Sequence, residues 1–135
     1  MAKGEEIGVL LIGHGSRNPK ATQNEVIVEL ARRLEQRGLF KTVKAAFNEF
    51  NPPGIEEALR HIAEKGVTTI VALPTLLAHG THTREDIPEK LKAAFEGEWA
   101  ELGKGVRVVY GEPMGVDERI VDILADRTKA AIEKE

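Results

Sequence analysis

The chain has no cysteine, which excludes disulfides and any metal centre held by thiolates and suits a reducing compartment. Long apolar runs are missing too. The apolar run near the start, "IGVLLI" at residues 7–12, is far shorter than the roughly 20 residues a bilayer span requires. No signal-peptide cleavage pattern accompanies it. A cytoplasmic protein with no membrane partner is therefore expected. A dominant charge is also lacking: 19 Lys and Arg stand against 22 Asp and Glu, for a net charge of −3. Bulk charge thus points to neither nucleic acid nor an anionic surface, and an anionic substrate would need a local basic site. Neither a spaced G-x-G-x-x-G fingerprint nor a G-x-x-x-x-G-K-[ST] loop occurs, so no nucleotide cofactor is expected. No internal repeat or low-complexity tract interrupts the 135 residues, which are about one domain's worth. A single domain over 1–135 is expected.

What is present is a fourfold alternation of strand-like and helix-like segments. "IGVLLI" (7–12) and "TTIVAL" (68–73) are nearly continuous apolar runs, as in strands covered on both faces. "TVKAAF" (42–47) and "VRVVY" (106–110) carry charge and read as edge strands. Helical spacing fills the intervals. Val26, Ile27, Leu30, Ala31 and Leu34 share one face, with Gly38 as a stop. Ile55, Ala58, Leu59 and Ile62 form a second face, entered from Pro52-Pro53 and ended by Gly66. Ile87, Leu91, Ala94 and Phe95 form a third, and Ile120, Val121, Leu124 and Thr128 a fourth, capped by Asp117. Such alternation predicts an α/β fold: a flavodoxin-like, parallel four-stranded sheet of order 2-1-3-4 with helices on both faces. Ligands of such sheets bind beyond the carboxyl ends of the strands, where the strand order reverses.

That rule selects residues by position alone. Gly13-His14-Gly15-Ser16-Arg17 follows the first strand and Asn48-Glu49 the second. "PTLLAHGTHTREDIP" (74–88), with His79 and His82, follows the third, and Glu112 follows the fourth. Three of the four histidines fall in these loops; His61 sits on a helix and reads as a surface residue. Imidazole and carboxylate without thiolate form a donor set for iron, cobalt, nickel or zinc. Imidazole also takes up protons near neutral pH. Glycines flanking His14 would let a bulky ligand approach the backbone. Each residue has a plainer reading as a loop residue, and Asp86 reads as a helix cap. Their convergence on one end of one sheet favours a site.

Three stretches carry a family resemblance. "LLIGHGSRNP", "VKAAFNEFNPPGIEEAL" and "LPTLLAHGTHTREDIPEKL" together resemble the short sirohydrochlorin chelatases, the cobaltochelatase and ferrochelatase relatives of the class II chelatase superfamily. The likeness covers most of the chain. It implies that His14 and His82 bind the metal and that Glu49 is the acidic residue of the site. His79 stands where the family's pattern has no histidine, which leaves it as a third ligand, a neighbour of the site, or neutral variation. The resemblance implies insertion of Co2+, Ni2+ or Fe2+ into sirohydrochlorin without ATP, and a homodimer that rebuilds the cleft of the two-lobed chelatases. Gly13, Gly15, Ser16, Arg17, Leu77, Gly80 and Arg84 are then expected to face the tetrapyrrole, with Arg17 the better placed cation for its carboxylates. Two other classes remain: a metal or tetrapyrrole carrier without turnover, and a histidine-dependent phosphatase or hydrolase. The latter is disfavoured because Gly13 stands where such enzymes usually place an arginine and no G-x-S-x-G elbow occurs.

Overall fold

The computed structural model describes residues 6–18, 21–78, 85, 87–91 and 105–134. Four strands, β1 (Ile7–Gly13), β2 (Thr42–Phe47), β3 (Thr69–Pro74) and β4 (Arg107–Tyr110), form one sheet of order β2-β1-β3-β4. Every pairing is parallel. The helices are α1 (Gln23–Gln36), α2 (Ile55–Ala63) and α3 (Glu118–Glu133), and residues 87–91 are also helical. The two apolar runs are the central strands, as their composition predicts.

β1 shows why its sequence does not alternate. Val9 and Leu11 point to one side and join Ile27 and Ala31 of α1 with Val43 and Phe47 of β2. Leu10 and Ile12 point to the other and join Ile55, Leu59 and Ile62 of α2 with Ile70 of β3. Both faces are covered, so both sets of side chains are apolar. Leu10, Leu59, Ile62 and Ile70 are fully buried, each stabilising by about 1.5–3 kcal/mol relative to exposure. Ile87 and Leu91 join the α2 side; Ala94 and Phe95, expected on the same helix, lie outside the described residues.

Side-chain hydrogen bonds fix the helix ends. The Glu35 carboxylate, in the last turn of α1, accepts from the Val43 amide at 2.9 Å and the Thr42 hydroxyl at 3.1 Å. The backbone bond from Val43 is the main cause holding the Glu35 carboxyl below its usual range. Asp117 caps α3, its carboxylate accepting from the Arg119 amide at 2.9 Å. The side chain of Arg119, then its amide, holds that carboxyl well below the ordinary aspartate range.

α3 departs from the expected arrangement. The helix forms over the predicted stripe, yet none of its residues is buried and it packs substantially against no other described element. No described helix is long and apolar enough to cross a membrane.

Candidate functional site at the strand ends

Hydrogen bonding continues past the strands and brings their loops together. The Asn48 amide donates to the Gly13 carbonyl at 2.8 Å and the Glu49 amide to the His14 carbonyl at 3.0 Å. On the other flank the Thr75 amide donates to the Ile12 carbonyl at 2.8 Å. The segments after β1, β2 and β3 therefore lie side by side at the reversal of strand order. His14 and Glu49 are neighbours there and both are exposed. An imidazole and a carboxylate carried on adjacent backbones can serve as a metal donor and a proton acceptor.

The glycines around His14 serve packing first. A Cβ at Gly13 would lie 2.5 Å from Ile27 Cδ1 and 3.2 Å from a Phe47 ring carbon. A Cβ at Gly15 would lie 1.8 Å from the Glu49 carbonyl oxygen, and Gly15 has φ +91°. Close approach of protein to protein, rather than room for a ligand, accounts for both. Replacing Gly15 with alanine is expected to cost about 2–4 kcal/mol in urea unfolding, combining left-handed strain with overpacking. An unchanged midpoint would mean that the Gly15–Glu49 approach is not native.

The rest of the loop is built on Asn51. Its side-chain oxygen accepts from the Ser16 amide at 2.7 Å, while the Gln23 side chain donates to the Gly15 carbonyl at 3.0 Å. The Ser16 hydroxyl accepts from the Asn18 amide at 3.1 Å, so it shapes the turn. Arg17 is exposed and its guanidinium lies 4.4 Å from the centroid of the Phe50 ring. Phe50 is half exposed and holds φ +69°, a conformation uncommon for an aromatic residue. Nothing in the sequence pattern singled out Phe50, whose ring supports the cation expected to meet substrate carboxylates. Leu77 is 62% exposed and available as an apolar wall.

Lys90 was also missed. Its ammonium donates to the carbonyl and side-chain oxygens of Asn48 at 2.6 and 2.7 Å, tying the helical segment 87–91 to the end of β2. It borders a cavity of about 550 Å³ shared with Phe47, Ile55, Glu56 and Arg60. That cavity opens on the α2 side and does not include His14. Among the described residues no three His, Asp or Glu side chains gather into a metal cluster. His79, Gly80, His82, Arg84 and Asp86 lie outside the described residues, so the described part of the site is His14, Glu49, Arg17 and Leu77. His61 is exposed on α2, as expected for a surface histidine.

The sequence model of the CbiX family matches residues 8–131. The chain belongs to the CbiX family. It is 38% identical to a sirohydrochlorin cobaltochelatase of Methanopyrus kandleri, an alignment covering 96% of this chain and 99% of the relative. A sirohydrochlorin cobaltochelatase of Sulfurisphaera tokodaii is 40% identical, with 93% of each chain covered. Among solved structures, a CbiX protein of Marinobacter aquaeolei described as a putative cobalamin biosynthesis protein superposes with a TM-score of 0.73 at 25% identity, covering 96% of this chain and 99% of that one. The sirohydrochlorin chelatase SirB of Bacillus subtilis, solved with cobalt, gives a TM-score of 0.78 at 29% identity. That alignment covers 93% of this chain but 50% of SirB, so this CbiX-family chain corresponds to about half of it.

Proposed function

We propose that this protein is a chelatase that inserts a divalent metal ion, cobalt foremost, into sirohydrochlorin. The observation that carries the reading is the side-by-side exposure of His14 and Glu49 at the strand-order reversal, in a chain aligned almost end to end with cobaltochelatases. Metal insertion sets three tasks. The metal ion must be held while it sheds water, which falls to the neutral imidazoles of His14 and His82. Two pyrrole N–H protons must leave as the ion enters; Glu49, beside His14, takes or relays them. The ring must be held with a nitrogen lone pair toward the ion, against Leu77 and the loop carrying Gly80, its carboxylates met by Arg17 and Arg84. Gly13, Gly15 and Ser16 hold the His14 loop in place for this. His79 is assigned to the tetrapyrrole rather than to the metal ion, because the family's pattern captures the metal with the two histidines that align with His14 and His82. None of these tasks needs a nucleotide.

The same reading pairs two copies of the chain in a single domain each, because SirB holds about twice this length and one copy supplies half of a two-lobed cleft. The deciding experiment is anaerobic incubation of sirohydrochlorin with the protein and Co2+, Ni2+ or Fe2+ in turn, followed by absorption. Metallated product should exceed the protein many times over, fastest with Co2+. Product that stops at one equivalent per site would identify a carrier, and hydrolysis of phosphoesters without metal would identify a hydrolase.

A further inference from the structure

Arg17 is held by a ring where other arginines of the chain are held by acids. Arg32 and Arg33 pair with Glu29, Arg60 with Glu56 and Arg119 with Asp117. Among the described residues no carboxylate pairs with Arg17, although Glu49 stands on the neighbouring loop. Its guanidinium lies instead 4.4 Å from the centroid of the Phe50 ring. The two kinds of partner differ chemically. A carboxylate cancels the charge and takes up N–H donors. A ring face attracts the cation through its quadrupole and takes up none of the five N–H groups that a carboxylate would use.

Phe50 reaches that position through a strained backbone. The Asn51 amide donates to the Glu49 carbonyl at 2.9 Å, which closes a three-residue turn with Phe50 at its centre. With φ +69° at Phe50, this is the rarer, strained form of γ-turn. Glycine or asparagine adopts such a φ readily; a bulky aromatic residue does so rarely. No core contact offsets the strain, because the side chain is 49% exposed and belongs to neither core cluster. Strain of this kind is concentrated at functional sites.

Both residues stand on fixed backbone. On one side of Phe50 the Glu49 amide donates to the His14 carbonyl, and on the other the Asn51 side chain accepts from the Ser16 amide at 2.7 Å. The Ser16 hydroxyl in turn accepts from the Asn18 amide, so the chain is tied on both sides of Arg17. Ring and guanidinium therefore meet with neither backbone free to drift. An unsupported exposed arginine loses side-chain freedom when it meets a substrate carboxylate, and one already held loses less.

We propose that Phe50 is a positioning residue for the substrate: its ring holds the Arg17 guanidinium, un-neutralised by any described acid, ready to receive a peripheral carboxylate of the tetrapyrrole beside the His14 loop. Phe50 thus acts on substrate affinity through Arg17. This deepens the chelatase reading above and rests on it.

The test is absorption titration of metal-free sirohydrochlorin against the parent, Phe50→Gly, Phe50→Tyr, Arg17→Gln and the double variant Phe50→Gly/Arg17→Gln, alongside cobalt insertion kinetics. Glycine adopts φ +69° without strain, so Phe50→Gly removes the ring and leaves the turn; urea unfolding checks that it folds. Its Kd and KM for sirohydrochlorin should rise about three- to tenfold, the scale of a cation–π contact. The loss should fall on KM rather than kcat, and affinity for Co2+ alone should stay the same. Phe50→Tyr, which keeps a ring face, should bind nearly as the parent does. In the Arg17→Gln background, Phe50→Gly should add nothing further, because the ring acts through the guanidinium. An unchanged Kd in Phe50→Gly would overturn the proposal. So would a loss that adds in full to that of Arg17→Gln, since the ring would then be meeting the macrocycle itself. A parent that binds sirohydrochlorin but forms no metallated product would remove the chelatase reading, while the same titrations still decide the role of Phe50. A parent that does not bind sirohydrochlorin would overturn both.

Discussion

Replacing His14 with alanine is expected to slow cobalt insertion into sirohydrochlorin by about 10²-fold or more, the scale for removing a group that acts directly in the chemical step. Two separate readouts sharpen this. Metal affinity measured without tetrapyrrole should fall at least about tenfold, or ~1.4 kcal/mol, because one imidazole donor is lost. Stability should stay within about 0.5 kcal/mol, since the side chain is exposed and its truncation leaves the core untouched. The backbone bond from Glu49 to the His14 carbonyl does not depend on the side chain, so the neighbouring carboxylate keeps its place. His82→Ala should match the loss of activity if the family resemblance assigns it correctly. Turnover near the parental rate in either variant would remove that histidine from the metal site.

Glu49→Gln separates proton handling from metal capture. The amide keeps the shape of the side chain but loses its charge and its capacity to accept a proton. Insertion at saturating cobalt is expected to slow by about 10²-fold, while cobalt still binds, more weakly. The Glu49 amide and carbonyl hold the loop, through His14 and Asn51, and they are unaltered, so unfolding should be unchanged. If the insertion rate at saturating metal matches the parent, the pyrrole protons leave by another route and Glu49 serves the loop alone.

How far the sequence could be read depended on whether a residue's role was local. The central position of β1 and β3 was legible because strands buried on both faces need apolar side chains at every position, and Val9 to Ile12 supply them. The placement of His14 and Glu49 followed, because parallel strands in one sheet end on the same side. The reason for the glycines was not legible: only the fold reveals that Gly15 lies against the Glu49 carbonyl and Gly13 against Ile27. Lys90 escaped notice for the same reason, since its partner Asn48 is distant in sequence. Phe50 carries no pattern signal because its left-handed backbone follows from the loop between β2 and α2. The stripe of α3 was plain, but periodicity states which face of a helix is apolar and says nothing about what covers it.

The segment bearing His79, His82 and Arg84 is fastened at both ends by described residues. Leu77 is held through its carbonyl by the Gly115 amide, and Lys90 is held by Asn48. The separation between Leu77 and Lys90 is thus set by the sheet. The entropy of closing a loop grows only slowly with its length, about 0.6 kcal/mol per doubling, so most of that cost is met when the chain folds. If His82 supplies the second imidazole, as the family resemblance implies, a metal ion at His14 recruits it from a segment whose two flanks, Leu77 and Lys90, are already held. On that reading the two clamps lower the entropic cost of capture without touching either the ion or the ring, and so act on affinity from positions that an inspection of donor atoms alone would pass over.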